Sequence, residues 1–148
     1  MAEFICGTRV ICRNEDSEIL MVREGQEKHR GKWDFPGGGL EHDETVKESA
    51  EREVKEETGF LVESNGFYGC YMVDEDLGTP AIAFLVSAEN VGKGEKKMDA
   101  EEEIIEHGFF SPVEIRKLEI RQPSRLKMLE DVLTKEPIDI DRIKDLRP

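Results

Sequence analysis

A run of three glycines followed by an acidic helical segment constrains this chain more than any other stretch. The segment GGGLEHDETVKESAEREVKEETGF covers residues 37–60. Thr45, followed three residues later by Glu48, gives the pattern of a capping box, with which a helix begins. Gly59 stands where a left-handed residue commonly ends a helix. The sequence therefore predicts a helix over residues 46–58, placed after a glycine loop.

One face of this helix is apolar and the opposite face is charged. With about 100° of rotation per residue, three residues form an apolar stripe that should face a core: Val46, Ala50 and Val54. Four residues fall on the opposite side and are expected to be solvated: Lys47, Glu48, Glu51 and Lys55. The helix should therefore pack through its apolar stripe.

Three carboxylates crowd the edge of the face that should be buried. Glu53 and Glu57 are four residues apart and share a face, and Glu56 lies beside them. Like charges this close raise one another's pKa and resist desolvation. A bound divalent cation would relieve both effects, and oxygen-rich clusters suit Mg²⁺ or Mn²⁺. From the helix alone, a solvated acidic face is the alternative explanation.

The charge of the whole chain limits the partners that it can bind. The formal net charge is −13, and 37% of the 148 residues are charged. Such a chain is not expected to bind nucleic-acid polymers or anionic membranes. An anionic phosphate substrate would need cations to approach it, which strengthens the argument for a metal. The length predicts one domain, residues 1–148.

Cysteines and apolar runs point to a reducing, cytoplasmic setting. Cys6, Cys12 and Cys70 form no CxxC pair and are odd in number, so we expect buried, reduced thiols in strands. The first residues do not have the pattern of a signal peptide, and no apolar run reaches transmembrane length. We therefore expect a cytoplasmic protein that works as a monomer or a homodimer.

Apolar stretches separated by turn formers predict a mixed sheet with helices on both sides. Strands are predicted at residues 4–12, 18–22, 61–63, 67–73, 81–86 and 104–110, with a turn at 64–66 between the third and the fourth. The first two should form a hairpin, and the fifth should lie at the centre of the sheet. Ser111 before Pro112 starts a short helix, and a longer helix opens at Pro123. The C-terminal helix and tail cover residues 123–148, and the charged tail after residue 137 is expected to fray or dock on a neighbour.

Residues around the glycines offer contacts for a substrate. Trp33 and Phe35 lie on one side of an extended segment, so Phe35 is a candidate for stacking on a base, with core packing as the alternative. Arg23 ends a strand directed toward the glycine loop and is a candidate for phosphate contact, with solubility as the alternative. Gly38 lets the backbone approach a ligand closely. Three lysines are expected in a solvated loop: Lys93, Lys96 and Lys97.

The spacing of the central segment resembles the signature of the Nudix hydrolases. Gly38 is followed after five residues by Glu44, and after seven more by the run from Arg52 to Phe60. This agrees at every fixed position with the Nudix box, Gly-x5-Glu-x7-Arg-Glu-apolar-x-Glu-Glu-x-Gly-apolar. The preceding Trp-x-Phe-Pro-Gly-Gly is also frequent in that family. The resemblance is specific over residues 33–60, with the box at 38–60, and loose elsewhere.

The resemblance implies a Nudix fold, which is an α/β/α sandwich with a mixed β-sheet, and a metal site for Mg²⁺ or Mn²⁺. Its implied metal ligands are the Gly37 carbonyl and three carboxylates, Glu53, Glu56 and Glu57. Glu53 is also a candidate general base. Arg52, which cannot lose its proton, would orient the glutamates. Glu44 would be a supporting ligand or hydrogen-bond acceptor, with a helix-end structural role as the alternative.

A second acidic stretch competes for the role of general base. The family commonly places a carboxylate a few residues before an aromatic residue of its last strand, and Phe109 resembles that aromatic. Counting back puts Glu103 in the carboxylate position. Glu102 and Glu106 are rivals, and a plain acidic surface is the alternative explanation. The implied catalytic set is therefore Glu53, Glu57, Arg52 and Glu103.

The resemblance further implies metal-dependent hydrolysis of a small nucleotide. The approach to the box, the short chain and Arg23 are similar to MutT-type enzymes, which release pyrophosphate from nucleoside triphosphates, including oxidised ones. Markers of the ADP-ribose and dinucleoside polyphosphate subfamilies would fall near Glu75 and Asp76 and are missing there. Hydrolysis of ADP-ribose or a nucleotide sugar is the first alternative. A Nudix-fold binding module without catalysis is the second, although such modules usually lose glutamates that this chain retains.

Overall fold

A mixed β-sheet with helices packed on it forms the protein, whose computed structural model describes residues 3–75, 78–95 and 103–148. The strands of this described part are β1 (Ile5–Arg13), β2 (Ile19–Glu24), β3 (Trp33–Asp34), β4 (Gly37–Gly39), β5 (Phe60–Asp74), β6 (Pro80–Lys93), β7 (Ile104–Phe110) and β8 (Ile138–Asp139). Its helices include α1 (Val46–Thr58), α2 (Pro112–Ile115) and α3 (Ser124–Thr134). Short 3₁₀ turns lie at Glu27–His29 and Ile140–Arg142.

Strands β1 and β6 run parallel to each other at the centre of the sheet, whose order is β3–β2–β1–β6–β5–β8. The other pairings are antiparallel, including β4 on β1 and β7 on β2. The predicted mixed sheet and the predicted central strand are therefore confirmed. The hairpin of β1 and β2 is also present, and its register pairs Arg13 with Ile19.

Two apolar clusters lie on opposite faces of the sheet, because neighbouring strand residues point to opposite sides. On one face, Val10 of β1 packs with the apolar stripe of α1. On the other, Ile11 packs with Met128 and Leu129 of α3. Helices therefore cover both faces, and the predicted α/β/α sandwich is confirmed.

Helix α1 begins and ends where the sequence predicted. The Thr45 hydroxyl accepts a hydrogen bond from the Glu48 amide, and the Glu48 carboxylate accepts one from the Thr45 amide. Gly59 follows in the left-handed conformation at φ 81°. The apolar stripe is buried as expected. Glu51, however, is half-buried rather than solvated, since its carboxylate accepts a hydrogen bond of 3.1 Å from the Ser64 amide of β5. That bond joins the outer side of the helix to the sheet.

Several strand boundaries differ from the predictions. Residues 61–63 and 67–73 belong to one continuous strand, β5, and the turn predicted at 64–66 is an irregularity in its pairing with β6. A β-bulge absorbs an extra residue without reversing the chain, so the local turn signal at Gly66 was misleading. β6 likewise extends to Lys93, which the prediction placed in a loop.

The tail and one cysteine also depart from expectation. The first part of the tail packs on its own chain, because β8 pairs with β5 and Ile140 is buried against the α1 cluster. Cys12 is buried and Cys6 partly so, but Cys70 is exposed, and all three thiols are free. Within the described part of the chain, no helix is long and apolar enough to cross a membrane.

A buried ionic cluster joins α3 to the sheet. Arg125 is 1% exposed and donates to the fully buried carboxylate of Asp34 at 2.7 and 3.1 Å. Glu75 also accepts from Arg125, at 3.2 Å. Burial opposes ionisation of Asp34, yet the adjacent Arg9 and Arg125 hold the pKa of its carboxyl below the ordinary value. The cluster therefore stays charged inside the fold.

We expect Arg125→Met to lower the free energy of unfolding by about 3–5 kcal/mol, because removal of one member leaves a buried carboxylate unpaired. Equilibrium denaturation at neutral pH measures this loss. The control is Lys127→Met on the same helix, whose side chain is 62% exposed. That change should cost less than about 1 kcal/mol. Equal losses in the two variants would contradict the structural role of the buried pair.

Candidate active site

The glycine strand β4 lies against β1 and forms the floor of the candidate site. Its register pairs Gly37 with Arg9 and Gly38 with Thr8. Gly37 has φ 153°, and a Cβ there would lie 2.0 Å from the Thr8 carbonyl oxygen. Only glycine permits this approach of two backbones. The glycine run is therefore needed for the position of the strand itself.

Glu57 reaches from α1 to this strand. Its Oε1 accepts a hydrogen bond of 2.8 Å from the Gly37 amide, and the residue is only 8% exposed. Burial, reinforced by the nearby carboxylate of Glu53, raises the pKa of Glu57 well above its ordinary value. A cation placed beside the Glu57 carboxylate would lower its pKa again, because it favours the charged form.

Glu53 lies one helical turn earlier and touches the next glycine. A Cβ on Gly38 would come within 2.5 Å of its Oε1, so the carboxylate packs directly on the glycine backbone. Burial raises the pKa of Glu53, although the Arg52 guanidinium opposes the shift. Two carboxylates of raised pKa therefore meet the same short strand.

Arg52 gathers the other acidic groups of the box. Its guanidinium donates to Glu44 at 2.7 and 2.9 Å, to Glu53 at 2.9 Å and to Glu56 at 3.2 Å. It also donates to the Gly39 carbonyl at 3.1 Å. The hydrogen bonds from Arg52 lower the pKa of Glu44 to about 2, so that carboxylate stays ionised. Arg52 thus lies among the carboxylates that it was predicted to orient.

The donor set of the site suits a hard divalent cation. Glu53 and Glu57 converge on β4, where backbone carbonyls are also at hand, and oxygen atoms are the ligands that Mg²⁺ prefers. A buried carboxylate without a cation is costly, which favours occupancy. Among the described residues, however, no three acidic, histidine or cysteine side chains form a cage by themselves. Water and a backbone carbonyl would have to complete the shell, as is usual for Mg²⁺.

A cleft of about 190 Å³ opens next to the glycine strand. Its lining includes four polar side chains and the backbone of two glycines: Thr8, Arg9, Glu75, Arg121, Gly38 and Gly39. Within the described residues, Thr8 Oγ1 and Arg121 Nε are buried without a hydrogen-bond partner. Buried polar atoms of this kind are usually satisfied, so each is available to a ligand or a water.

Arg9 connects the cleft to the buried ionic cluster. Its guanidinium lies 3.4 Å from Glu75 and 3.5 Å from Asp34. Burial alone would lower the pKa of Arg9, but those carboxylates, with Glu57 and Glu24 nearby, raise it. Arg9 therefore remains a fixed cation between the cleft and the box carboxylates.

Phe35 and Arg23 do not lie where the sequence predicted a substrate contact. Phe35 is fully buried in the core cluster that includes Trp33, so no ring face is open to a base. Arg23 donates to the Gly31 carbonyl at 3.0 Å and to Glu106 at 3.3 Å, and it lies over Trp33. Core packing, the alternative given for Phe35, is the one that fits. The Arg23 side chain therefore bonds to groups on the side of β2 that faces away from β1.

Glu103 stands just before β7, where the rival general base was predicted. Its backbone carbonyl accepts from the Gly25 amide at 2.7 Å, and its side chain is exposed. The rival Glu106 is paired with Arg23. Predictions for Glu102, Lys96 and Lys97 lie outside the described residues. The structure thus brings Glu53 and Glu57 together but does not bring Glu103 into contact with them.

Sequence reasoning missed the basic side of the site. Arg9 interrupts an apolar strand, and a buried arginine must find carboxylate partners. Arg125 precedes Met128 and Leu129 by three and four residues, so it lies on the buried face of α3. Both signals were present in the sequence, but their partner Glu75 is distant along the chain.

Comparison with known proteins agrees with this geometry. A family model for the NUDIX domain matches residues 6–132. The 8-oxo-dGDP phosphatase NUDT18 of Mus musculus is 35% identical over 103 residues, which cover 69% of this chain and 31% of that protein. This chain therefore spans less than a third of that relative. Among solved structures, a NUDIX hydrolase from Nitrosomonas europaea gives a TM-score of 0.86 at 23% identity, covering 97% of each chain. The MutT protein from Methanosarcina mazei Go1 gives 0.70 at 27% identity, covering 89% of this chain and 96% of that one.

We expect Gly37→Ala to displace β4, because the added Cβ would lie 2.0 Å from the Thr8 oxygen. The free energy of unfolding should fall by about 1–3 kcal/mol, and the hydrogen bond from the amide of residue 37 to Glu57 should be lost. Equilibrium denaturation measures the first effect, and hydrogen exchange of the amide of residue 37 measures the second. Gly39→Ala is the matched control, since a Cβ there meets nothing within 4 Å. A Gly37 variant as stable as the Gly39 variant would contradict this packing.

Proposed function

This chain belongs to the Nudix family, and on that premise we propose that it is a MutT-like hydrolase that cleaves a phosphoric anhydride of a nucleoside di- or triphosphate with Mg²⁺. Mn²⁺ would replace Mg²⁺ at the same oxygen ligands. The observation that carries the proposal is the pair of inward carboxylates, Glu53 and Glu57, held against the glycine strand. Their burial has a physical reason if a divalent cation joins them.

The proposed ligands are Glu53, Glu56, Glu57 and the Gly37 carbonyl. A divalent cation held there would supply neutralisation of the phosphoryl oxygens and Lewis-acid activation of the attacking water. Glu56 lies 3.2 Å from Arg52, which would have to release it for a metal. The Gly37 amide keeps Glu57 aimed at the strand while the carbonyl of the same residue remains available.

Proton transfer in this proposal falls to Glu53. A general base must be positioned and must have a pKa suited to neutral pH, and burial moves Glu53 in that direction. Arg52 would hold the Glu53 carboxylate in place through its 2.9 Å hydrogen bond. Glu44 fixes Arg52 from the other side and so acts as a supporting residue. Glu103 remains a rival base only if substrate binding brings it nearer.

We place the base of the nucleotide in the cleft beside β4. Its lining offers the Arg121 Nε–H as a donor and the Thr8 hydroxyl as a donor or acceptor, and neither has a hydrogen-bond partner within the described residues. This pair suits a purine edge that carries both kinds of group. The mouse relative, which is named for 8-oxo-dGDP, supports a purine nucleotide as the substrate. Hydrolysis of ADP-ribose would use the same metal chemistry and differs only in what the cleft accepts.

The first test is a panel of nucleotides assayed with Mg²⁺. Release of pyrophosphate from triphosphates or of phosphate from diphosphates supports the proposal. Formation of AMP from ADP-ribose, with neither anion released, supports the alternative substrate. Nucleotide binding without any cleavage would identify a binding module and overturn the enzymatic proposal.

Glu57→Gln should abolish Mg²⁺-dependent hydrolysis while the fold survives. The glutamine oxygen can still accept from the Gly37 amide, but the neutral amide loses the anionic ligand. Steady-state kinetics and circular dichroism measure the two properties. The charge-matched control is Glu51→Gln on the other side of α1, which keeps an acceptor for the Ser64 amide and should remain active. Full activity of the Glu57 variant would refute the assignment.

Thr8→Val should raise KM for the nucleotide about two- to tenfold with little change in kcat, because one neutral hydrogen bond to the substrate is lost. Stability should stay equal or rise, since a buried hydroxyl without a described partner is removed. Thr8→Ser retains the hydroxyl and is expected to keep the KM of the parent. Unchanged KM in the valine variant would exclude Thr8 from the substrate contacts.

A further inference from the structure

The last eleven residues form a segment, here called the C-terminal strap (residues 138–148), that crosses back over the start of α1. β8 pairs with Gly66 and Phe67 of β5, which fixes one end of the strap. Ile140 is 6% exposed and packs in the same cluster as the apolar stripe of α1. Ile143 packs against that cluster as well. The strap is therefore attached to the core that carries the box helix.

The far end of the strap lies beside the turn that leads from the glycine strand into α1. Strap and helix enclose a groove of about 770 Å³, lined by Leu40, Glu44 and Val46 on one side and by Ile143 and Arg147 on the other. Two parts of the same chain, the strap and the start of α1, therefore form the walls of this groove. Arg147 is one of the charged residues in its lining.

Arg147 makes a fork of directed hydrogen bonds at this place. Its guanidinium donates to the carbonyl oxygen of His42 and, at 3.0 Å, to that of Glu44. Asp145 holds the same guanidinium from the strap side, accepting at 2.7 and 2.8 Å. Because the carboxylate grips two nitrogens, the fork has one orientation toward the turn.

The turn that Arg147 holds has few other backbone ties. The Glu44 amide reaches the Glu41 carbonyl at 3.3 Å, which is a long bond, and the Glu41 amide donates to the Glu44 side chain at 2.8 Å. The Glu44 side chain also accepts the two short bonds of Arg52. A change in the turn would therefore move Glu44, then Arg52, and with it the bonds from Arg52 to Glu53 and Glu56.

We propose that Arg147 is a positioning residue for the box, acting through the carbonyls of His42 and Glu44 to hold Glu44 against Arg52. It touches no reacting group in the proposed site. Its effect reaches the carboxylates through one turn and one arginine, a path of contiguous hydrogen bonds. The part of this inference that concerns hydrolysis rests on the proposed function, whereas the part that concerns the turn does not.

The experiment compares Arg147→Ala and Arg147→Lys with Arg142→Ala. Arg142 is an exposed arginine of the same strap and gives a charge-matched control. Amide hydrogen exchange of residues 41–44 is measured in the full chain without metal. Hydrolysis is measured over a Mg²⁺ titration on the nucleotide that the parent cleaves, and thermal unfolding is recorded for each variant.

In Arg147→Ala, the Glu41 and Glu44 amides should exchange about tenfold faster, which corresponds to loss of one to two hydrogen bonds. The amides of α1 should not change. kcat should fall several-fold and half-activation should need more Mg²⁺, with little change in the KM for nucleotide. Arg147→Lys should recover part of both effects, because an ammonium reaches one carbonyl but cannot form the fork.

The proposal would be overturned if Arg147→Ala and Arg142→Ala had the same amide exchange rates at residues 41–44 and the same kinetics of hydrolysis. Faster exchange throughout α1 with a lower Tm would also overturn it, because the strap would then be a general stabilising element. If the parent protein hydrolyses no nucleotide, the proposed function fails by itself. Faster exchange confined to the turn would in that case still support the positioning role of Arg147.

Discussion

Burial of a carboxylate beneath the glycine strand is the constraint on which the rest of the site depends. Glu57 is almost completely removed from water, and it is tolerated there because the Gly37 amide donates to it at 2.8 Å. That donor is in reach only because β4 has no side chains to hold it away from β1 and α1. A shift of α1 by one residue would turn Glu57 by about 100°. The cap at Thr45 and the end of the helix at Gly59 therefore fix the direction of the Glu57 side chain as well as the length of α1.

Two arginines reduce the repulsion among the carboxylates of this site. Arg52 faces the solvent edge and divides its five donors among Glu44, Glu53, Glu56 and a backbone carbonyl. Arg9 approaches from the strand side and is itself fixed by Asp34 and Glu75. A lysine could not replace either, since its ammonium lacks the planar fork that binds several oxygens in fixed directions. The carboxylates that converge on the glycine strand therefore have one arginine on the solvent side and one on the strand side.

The sequence predicted the box and its helix well because their signals are local. A capping box, a terminal glycine and a 3.6-residue period all lie within residues 37–60 and specify α1 to the residue. The supporting side chains could not be found in this way. Arg9, Glu75 and Arg125 are far apart along the chain and meet only after the sheet forms. Phe35 shows the converse error, because an aromatic beside a ligand loop fits a core as well as a base, and the pattern does not separate the two.

The carboxylates of the site are close together in the sequence, whereas the residues that line the cleft are far apart in it. The carboxylates come from one helix, so any chain with the same box presents the same anionic donors. The cleft beside them takes Arg9 from β1, Glu75 from the end of β5 and Arg121 from the segment before α3. Arg121 can change without disturbing the box, because it contributes neither to the cap nor to the glycine approach nor to the apolar stripe of α1. Chains that share the box can therefore differ in the cleft beside it. If the proposed function holds, the cleft, more than the box, determines which substrate this chain accepts.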